Sequence, residues 1–200
     1  MKMIKKITMA LSMLLAYSQM NAQGITYGFQ TSANIAVQSP IGDIYNNDDF
    51  KAGFNVGVFG NYNFNKAFGL QTELNYMQNG SQTEIVKNSY NYISVPVLVS
   101  YNLLQKANEN WRINLYVGPY VSFLLNAERK YSDNETSNMD LVDNTNITEL
   151  GVVYGFSVKH PIQNHYVVLN LRFGLGLTPY DVENSDPKNK HIGIGIGYEF

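Results

Sequence analysis

The sequence predicts an all-β fold: an eight-stranded antiparallel up-and-down transmembrane β-barrel with short periplasmic turns and longer extracellular loops. Three observations carry that expectation. The chain ends on a strand that alternates without a slip, with Ile192, Ile194, Ile196, Tyr198 and Phe200 on one face against Gly193, Gly195, Gly197 and Glu199 on the other. A period of two is the signature of a strand, and here one face is wholly apolar. Seven further segments of similar length repeat the alternation, each long enough to cross a bilayer at a tilt. The connections run long, short, long, short, long, short, long, as in barrels that keep their short turns in the periplasm.

Taken in order, the first strand sets Ile25, Tyr27, Phe29, Thr31, Ala33 and Ile35 against Thr26, Gly28, Gln30, Ser32 and Asn34. A polar loop over 38–49 follows, with Pro40, Gly42 and Asp43 as its turn residues. The second strand starts at Phe50 and places Ala52, Phe54, Val56, Val58 and Tyr62 opposite Gly53, Asn55, Gly57 and Asn61; residues 63–67 turn the chain. The third opposes Phe68, Leu70, Thr72, Leu74 and Tyr76 to Gly69, Gln71, Glu73 and Asn75, and leads to a second long loop over 78–89.

The fourth strand, 92–103, carries Ile93, Val95, Val97, Val99 and Tyr101 against Ser94, Pro96, Leu98, Ser100 and Asn102. Pro96 has no N–H for the ladder, so a bulge or kink is expected there. After a turn at 105–110, the fifth strand runs from Trp111 to Leu125, with Arg112, Asn114, Tyr116, Gly118, Tyr120 and Ser122 on its polar face. The loop over 127–146 is the longest. The sixth strand pairs Leu150, Val152, Tyr154, Phe156 and Val158 with Glu149, Gly151, Val153, Gly155 and Ser157; a turn over 159–165 contains Pro161. The seventh sets Val167, Leu169, Leu171, Phe173, Leu175 and Leu177 against Val168, Asn170, Arg172, Gly174 and Gly176 before the loop 178–189. The long loops are net acidic and the short turns net basic.

The amino terminus is a targeting segment and no part of the barrel. Lys2, Lys5 and Lys6 precede an apolar stretch over 7–17, and Asn21-Ala22-Gln23 offers a cleavage point after Ala22. Residues 1–22 therefore read as a secretory signal peptide and 23–200 as one β-barrel domain. The signal holds three lysines and no acidic residue, leaving 11 basic against 16 acidic side chains in the exported chain. That balance disfavours nucleic acid as a partner. There are no cysteines, which rules out disulfides, CxxC redox chemistry and cysteine-ligated zinc.

The glycine-rich polar face separates a membrane barrel from a soluble one. A water-facing surface carries many charges of both signs. The charged residues picked out on this face are only Glu73, Arg112, Glu149, Arg172 and Glu199, which suits a packed polar interior. Alternate glycines in the closing strand need a crowded neighbourhood to justify them. Matched depths predict that Glu73 meets Arg172 across the lumen, with Arg112 and Glu199 as a lower tier.

Several stretches resemble the PorT-like outer-membrane β-barrel family of Bacteroidetes-type bacteria. They are Leu70-Gln71-Thr72-Glu73-Leu74-Asn75-Tyr76, Tyr92-Ile93-Ser94-Val95-Pro96-Val97-Leu98, Val117-Gly118-Pro119-Tyr120 with Leu124-Leu125, and the closing Ile196-Gly197-Tyr198-Glu199-Phe200. Ser94 departs from the pattern, which often places an acidic residue there. The resemblance implies a bacterial outer-membrane location, and its prototype is tied to protein secretion. The ending on Tyr198 and Phe200 likewise resembles the signal by which barrels are handed to their insertion machinery.

No catalytic, cofactor or metal site is expected. His160 and His165 fall near one short turn and His191 near the other membrane face, so no cluster or Ser-His-acid arrangement forms. The Asp/Asn-rich loops, such as Asp43 with Asn46 to Asp49, have oxygen ligands but lack the spacing of a dedicated calcium loop. The expected role is a structural or interaction module of the cell envelope with a side-chain-filled lumen. A small channel for ions or small solutes is the alternative, and an outer-membrane enzyme a third. The expected partners are outer-membrane lipid and lipopolysaccharide, the insertion machinery during assembly, and an envelope protein.

Overall fold

In the computed structural model the described residues are 24–39, 51–82, 86–104, 111–131, 139–140, 145–179 and 188–200. The expected signal peptide and most of the acidic loop residues lie outside them. The elements are β1 (Ile25–Ser39), β2 (Lys51–Asn63), β3 (Phe68–Gln82), β4 (Val86–Asn102), β5 (Arg112–Tyr131), a two-residue β6 (Met139–Asp140), β7 (Thr148–Ile162), β8 (His165–Gly176) and β9 (Lys188–Glu199). Each long strand pairs antiparallel with its neighbours, and β9 returns to β1 over a twelve-residue register from Gly28↔Glu199 to Ser39↔Lys188. Eight strands thus close into a barrel without a free edge, while β6 only extends the wall beside Glu128 and Arg129 of β5.

Burial fixes which face points outward. Phe29, Val58 and Leu150 are about half exposed and Ile194 is 68% exposed, whereas Gln30, Asn34, Asn75 and Asn170 are buried. The apolar face therefore coats the barrel and the polar face lines it, the inverse of a water-soluble barrel. Aromatic pairs gather outside the end that carries Gly24 and Phe200, among them Tyr27–Phe200, Phe68–Tyr101 and Trp111–His160. Such a girdle suits a membrane–water interface, where a ring needs one apolar and one wet side.

Several local expectations are corrected. The segment 78–89 is mostly strand: β3 and β4 stay paired out to Gln82↔Lys87. Part of 127–146 is strand as well, because β5 continues to Tyr131 and β6 pairs with it. The polar composition that suggests loops here reflects a wall that continues beyond the apolar band; Tyr90, Tyr92 and Ala127 form a small core behind it. The expected turn 159–165 shrinks to Gln163-Asn164, with Gln163 in the left-handed region at φ 57°. Pro96 causes no shift of register. The β3–β4 ladder skips Glu73/Pro96 and Leu74/Val95 and resumes in the same register at Asn75↔Ser94. The irregularity lies instead between Asn91 and Tyr92, where β5 takes up an extra residue.

Inward glycines have a simple packing reason. Gly28 faces Phe59 in register, Gly151 faces Tyr120, Gly155 faces Tyr116 and Gly174 faces His191. At each of these positions an added Cβ would collide with the facing ring. Every such glycine leaves room for a ring to lie flat across the neighbouring strand, and so lets a narrow lumen hold bulky side chains.

Candidate functional site

The lumen is organised in tiers, and the central one is an ion pair. Glu73 on β3 and Arg172 on β8 come from opposite walls of the ring and are 3% and 4% exposed. The guanidinium donates from Nη1 to Oε2 at 2.8 Å and from Nη2 to Oε1 at 2.9 Å, a bidentate clamp. Gln30 and Asn75 also donate to Oε2 (2.8 and 2.7 Å), and Gln71 donates to Oε1 at 2.6 Å. The Tyr116 ring lies 5.7 Å from the guanidinium carbon. Residues of several strands thus meet at one carboxylate–guanidinium plane. A buried ion costs several kcal/mol unless geometry and extra hydrogen bonds compensate, and this carboxylate is fully supplied with donors.

A second carboxylate, Glu149 on β7, sits nearer the end with the long connections. Tyr120 donates to its Oε1 at 2.5 Å and Asn189 donates to its Oε2. Asn189 also reaches the Tyr92 hydroxyl at 3.4 Å, and Ser122 bonds Ser94 at 2.9 Å in the same layer. Between the Glu149 and Glu73 tiers, a cavity lined in part by Asn55, Met77, Tyr120 and His191 measures only ≈ 10 Å³, about the space of one water. Leu98, Tyr116, Tyr120 and Val153 pack together beside it. Farther along, buried Lys51 donates to Ser89 Oγ at 2.5 Å and to the Asn79 carbonyl at 3.3 Å.

The lower tier differs from the expected one. Glu199 does not pair with Arg112; its cation is Lys159, at 2.5 Å. Thr26 Oγ1 donates to Glu199 Oε1 at 2.9 Å and Asn61 Nδ2 to Oε2 at 3.0 Å. Arg112 is exposed, with its guanidinium 4.7 Å above the Tyr166 ring. The physical reason is position: Lys159 on β7 is separated from β9 only by β8, whereas Arg112 on β5 is one strand farther away. Sequence reasoning misses Lys159 because it assigns that residue to a turn, and it passes over Lys51 at the very start of its strand. The inward parity of both positions is the signal that could have found them.

Below the Glu73–Arg172 clamp the lumen is hollow. A vestibule of ≈ 1160 Å³ opens at the end carrying Gly24 and Phe200, walled by Asn61, Gly69, Ser100, Asn114 and Ser157, with Lys66, Arg112 and Lys159 among its lining. The inward side chains here are short, which leaves the space unfilled. Tyr198 and Phe200 lie on the outer surface at this end, in edge contact at 5.0 Å, and His165 packs against both. His160 stacks on Trp111 and His191 lies in the lumen, so the histidines occupy separate places. Among the described residues, no three His, Asp or Glu side chains are grouped as a metal site.

Residues 17–182 match the family described as outer membrane protein beta-barrel domain. The chain belongs to that family. Membership places this barrel among proteins of the bacterial outer membrane, with lipid around its apolar face. Among solved structures, the chain is similar to Neisserial surface protein A, at 14% identity and a TM-score of 0.52 over 90% of this chain and 99% of that one. It is also similar to a major outer membrane protein from Thermus thermophilus, at 11% identity and a TM-score of 0.50 over 87% and 99%. At these identities the likeness is one of fold. No curated protein matches the chain in sequence.

Proposed function

We propose that this protein is a PorT-like member of the family, exported by a signal peptide cleaved after Ala22, whose barrel is a structural and interaction module of the envelope. In this reading it neither catalyses a reaction nor conducts solutes. The short turns and both termini face the periplasm, and the wall extended by β3, β4, β5 and β6 faces outward beside lipopolysaccharide. A link to secretion fits the PorT-like segments. The observation that carries the reading is the closed lumen. The bidentate Glu73–Arg172 clamp spans it from wall to wall, and only ≈ 10 Å³ remains open beside that tier.

The test is electrical. Purified protein in planar bilayers should show no stable conductance. A steady ion-conducting state in the wild type would replace this reading with the channel. The ending on Tyr198 and Phe200 belongs to the same proposal as an assembly signal for the insertion machinery. Deleting Phe200 should lower the amount inserted while leaving passage across the inner membrane intact. Unchanged insertion would reduce Phe200 to an ordinary girdle aromatic.

A further inference from the structure

We propose that the vestibule below the clamp is a socket for an acidic peptide segment of a periplasmic protein, held by Arg112 and Lys66. This rests on the reading of the barrel as an interaction module with its short turns in the periplasm, and it names the partner's chemistry.

Three features of the vestibule point the same way. It is a dead end: ≈ 1160 Å³ opens at one rim, and the Glu73–Arg172 clamp closes the far side. A space without an exit can hold a tethered segment but cannot pass a solute. The second feature is charge. Lys66, Arg112 and Lys159 line it, and no carboxylate belongs to its lining among the described residues. Inside the lumen, Glu199 compensates Lys159 and also accepts from Thr26 and Asn61, which leaves Lys66 and Arg112 as the open cations. Arg112 is set against the Tyr166 ring, which orients the guanidinium without neutralising it, and it has no carboxylate partner among the described residues. A low-dielectric wall around uncompensated cations raises the local concentration of anions.

The third feature is hydrogen-bonding capacity. Asn114 presents an amide donor and acceptor at the cavity, and Asn61 and Asn63, whose nitrogens are engaged, present their amide oxygens; these can match the N–H and C=O groups of an extended backbone. An arginine fork adds bidentate recognition of a carboxylate, which a bare lysine cannot supply. Cations set the sign of the ligand, and the amides suit a peptide.

The experiment uses the mature protein in nanodiscs and a fluorescein-labelled hexaglutamate peptide, followed by fluorescence anisotropy at low ionic strength. Saturable binding is expected, lost as salt screens the contacts. The double variant Lys66→Gln/Arg112→Gln should bind about tenfold more weakly, as for two contacts of surface strength. Lys130→Gln on the opposite rim should bind as the wild type does, and hexalysine should not bind. All variants should keep the wild-type shift in mobility on boiling, so weakened binding would not reflect a lost barrel. Absence of saturable binding would overturn the proposal, as would an equal loss in Lys130→Gln. Competition by inorganic phosphate as effective as that by unlabelled hexaglutamate would reveal a site for small anions only and overturn the peptide assignment. Either failure with silent bilayers leaves the closed-lumen reading standing, whereas conductance defeats that reading first.

Discussion

The middle of the lumen and its lower end are built from the same eight strands, yet one is filled and the other hollow. In the middle, Arg172 and Glu73 meet across the axis, while Tyr116, Tyr120 and His191 lie over glycines of neighbouring strands. At the lower end many inward positions are small, Asn61, Gly69, Ser100, Asn114 and Ser157 among them, and these do not span the gap. Strand number alone therefore does not decide whether a small barrel is solid. The choice is made position by position, through side-chain length and through the facing glycines that make room for it.

The largest expected effect tests the filled region at its ion pair. Glu73→Ala leaves a buried guanidinium without its carboxylate and should cost about 3–5 kcal/mol, read from denaturant unfolding in lipid vesicles. Glu73→Ala combined with Arg172→Met should cost less than the single change. Additive losses would mean that the two side chains do not depend on each other.

Next comes the outer surface, which should tolerate charge less well than the vestibule. Leu115→Arg places a cation against lipid and should cost about 2–4 kcal/mol if it lies near the midplane. Ser157→Glu adds a charge to the hollow lumen among the cations that line it and should cost clearly less than Leu115→Arg. Similar losses in the two variants would erase the distinction between wall and vestibule.

A smaller effect compares two positions on one strand. Gly155→Val drives side-chain atoms into the Tyr116 ring and should cost about 1–3 kcal/mol by overpacking. Ser157→Val, two residues along and facing the hollow, should stay within about 0.5 kcal/mol. Equal costs would show that the glycines serve the backbone and not the rings.

The fold is legible in the sequence because its signal is carried by every strand: a period of two, with one face apolar from Ile25 to Phe200, survives errors at any single residue. The opposite-sign pair Glu73 and Arg172 is legible too, since depth can be counted along a strand from its turn. The lower tier is not. Whether Glu199 meets Arg112 or Lys159 depends on which strand stands two places away and on where a turn ends, and the composition of 159–165 makes that turn look too long. The partnership of Gly155 with Tyr116 depends on cross-strand register, which alternation alone does not contain. The polar upper halves of β3, β4 and β5 look like loops because outside the apolar band a strand no longer needs an apolar face.

The hub at Glu199 bears on timing. Its partners Thr26 and Asn61 stand 173 and 138 residues earlier in the chain, so these contacts span most of the barrel's sequence. Long-range closures of that kind are entropically late events. A chain exported amino terminus first presents Thr26 and Asn61 early and Glu199 late. Until Glu199 arrives, Asn61 and Lys159 lack their shared acceptor. Seating of β9 against β1 and locking of the lower rim thus converge on one carboxylate, and a copy cut before β9 would lack that fastener.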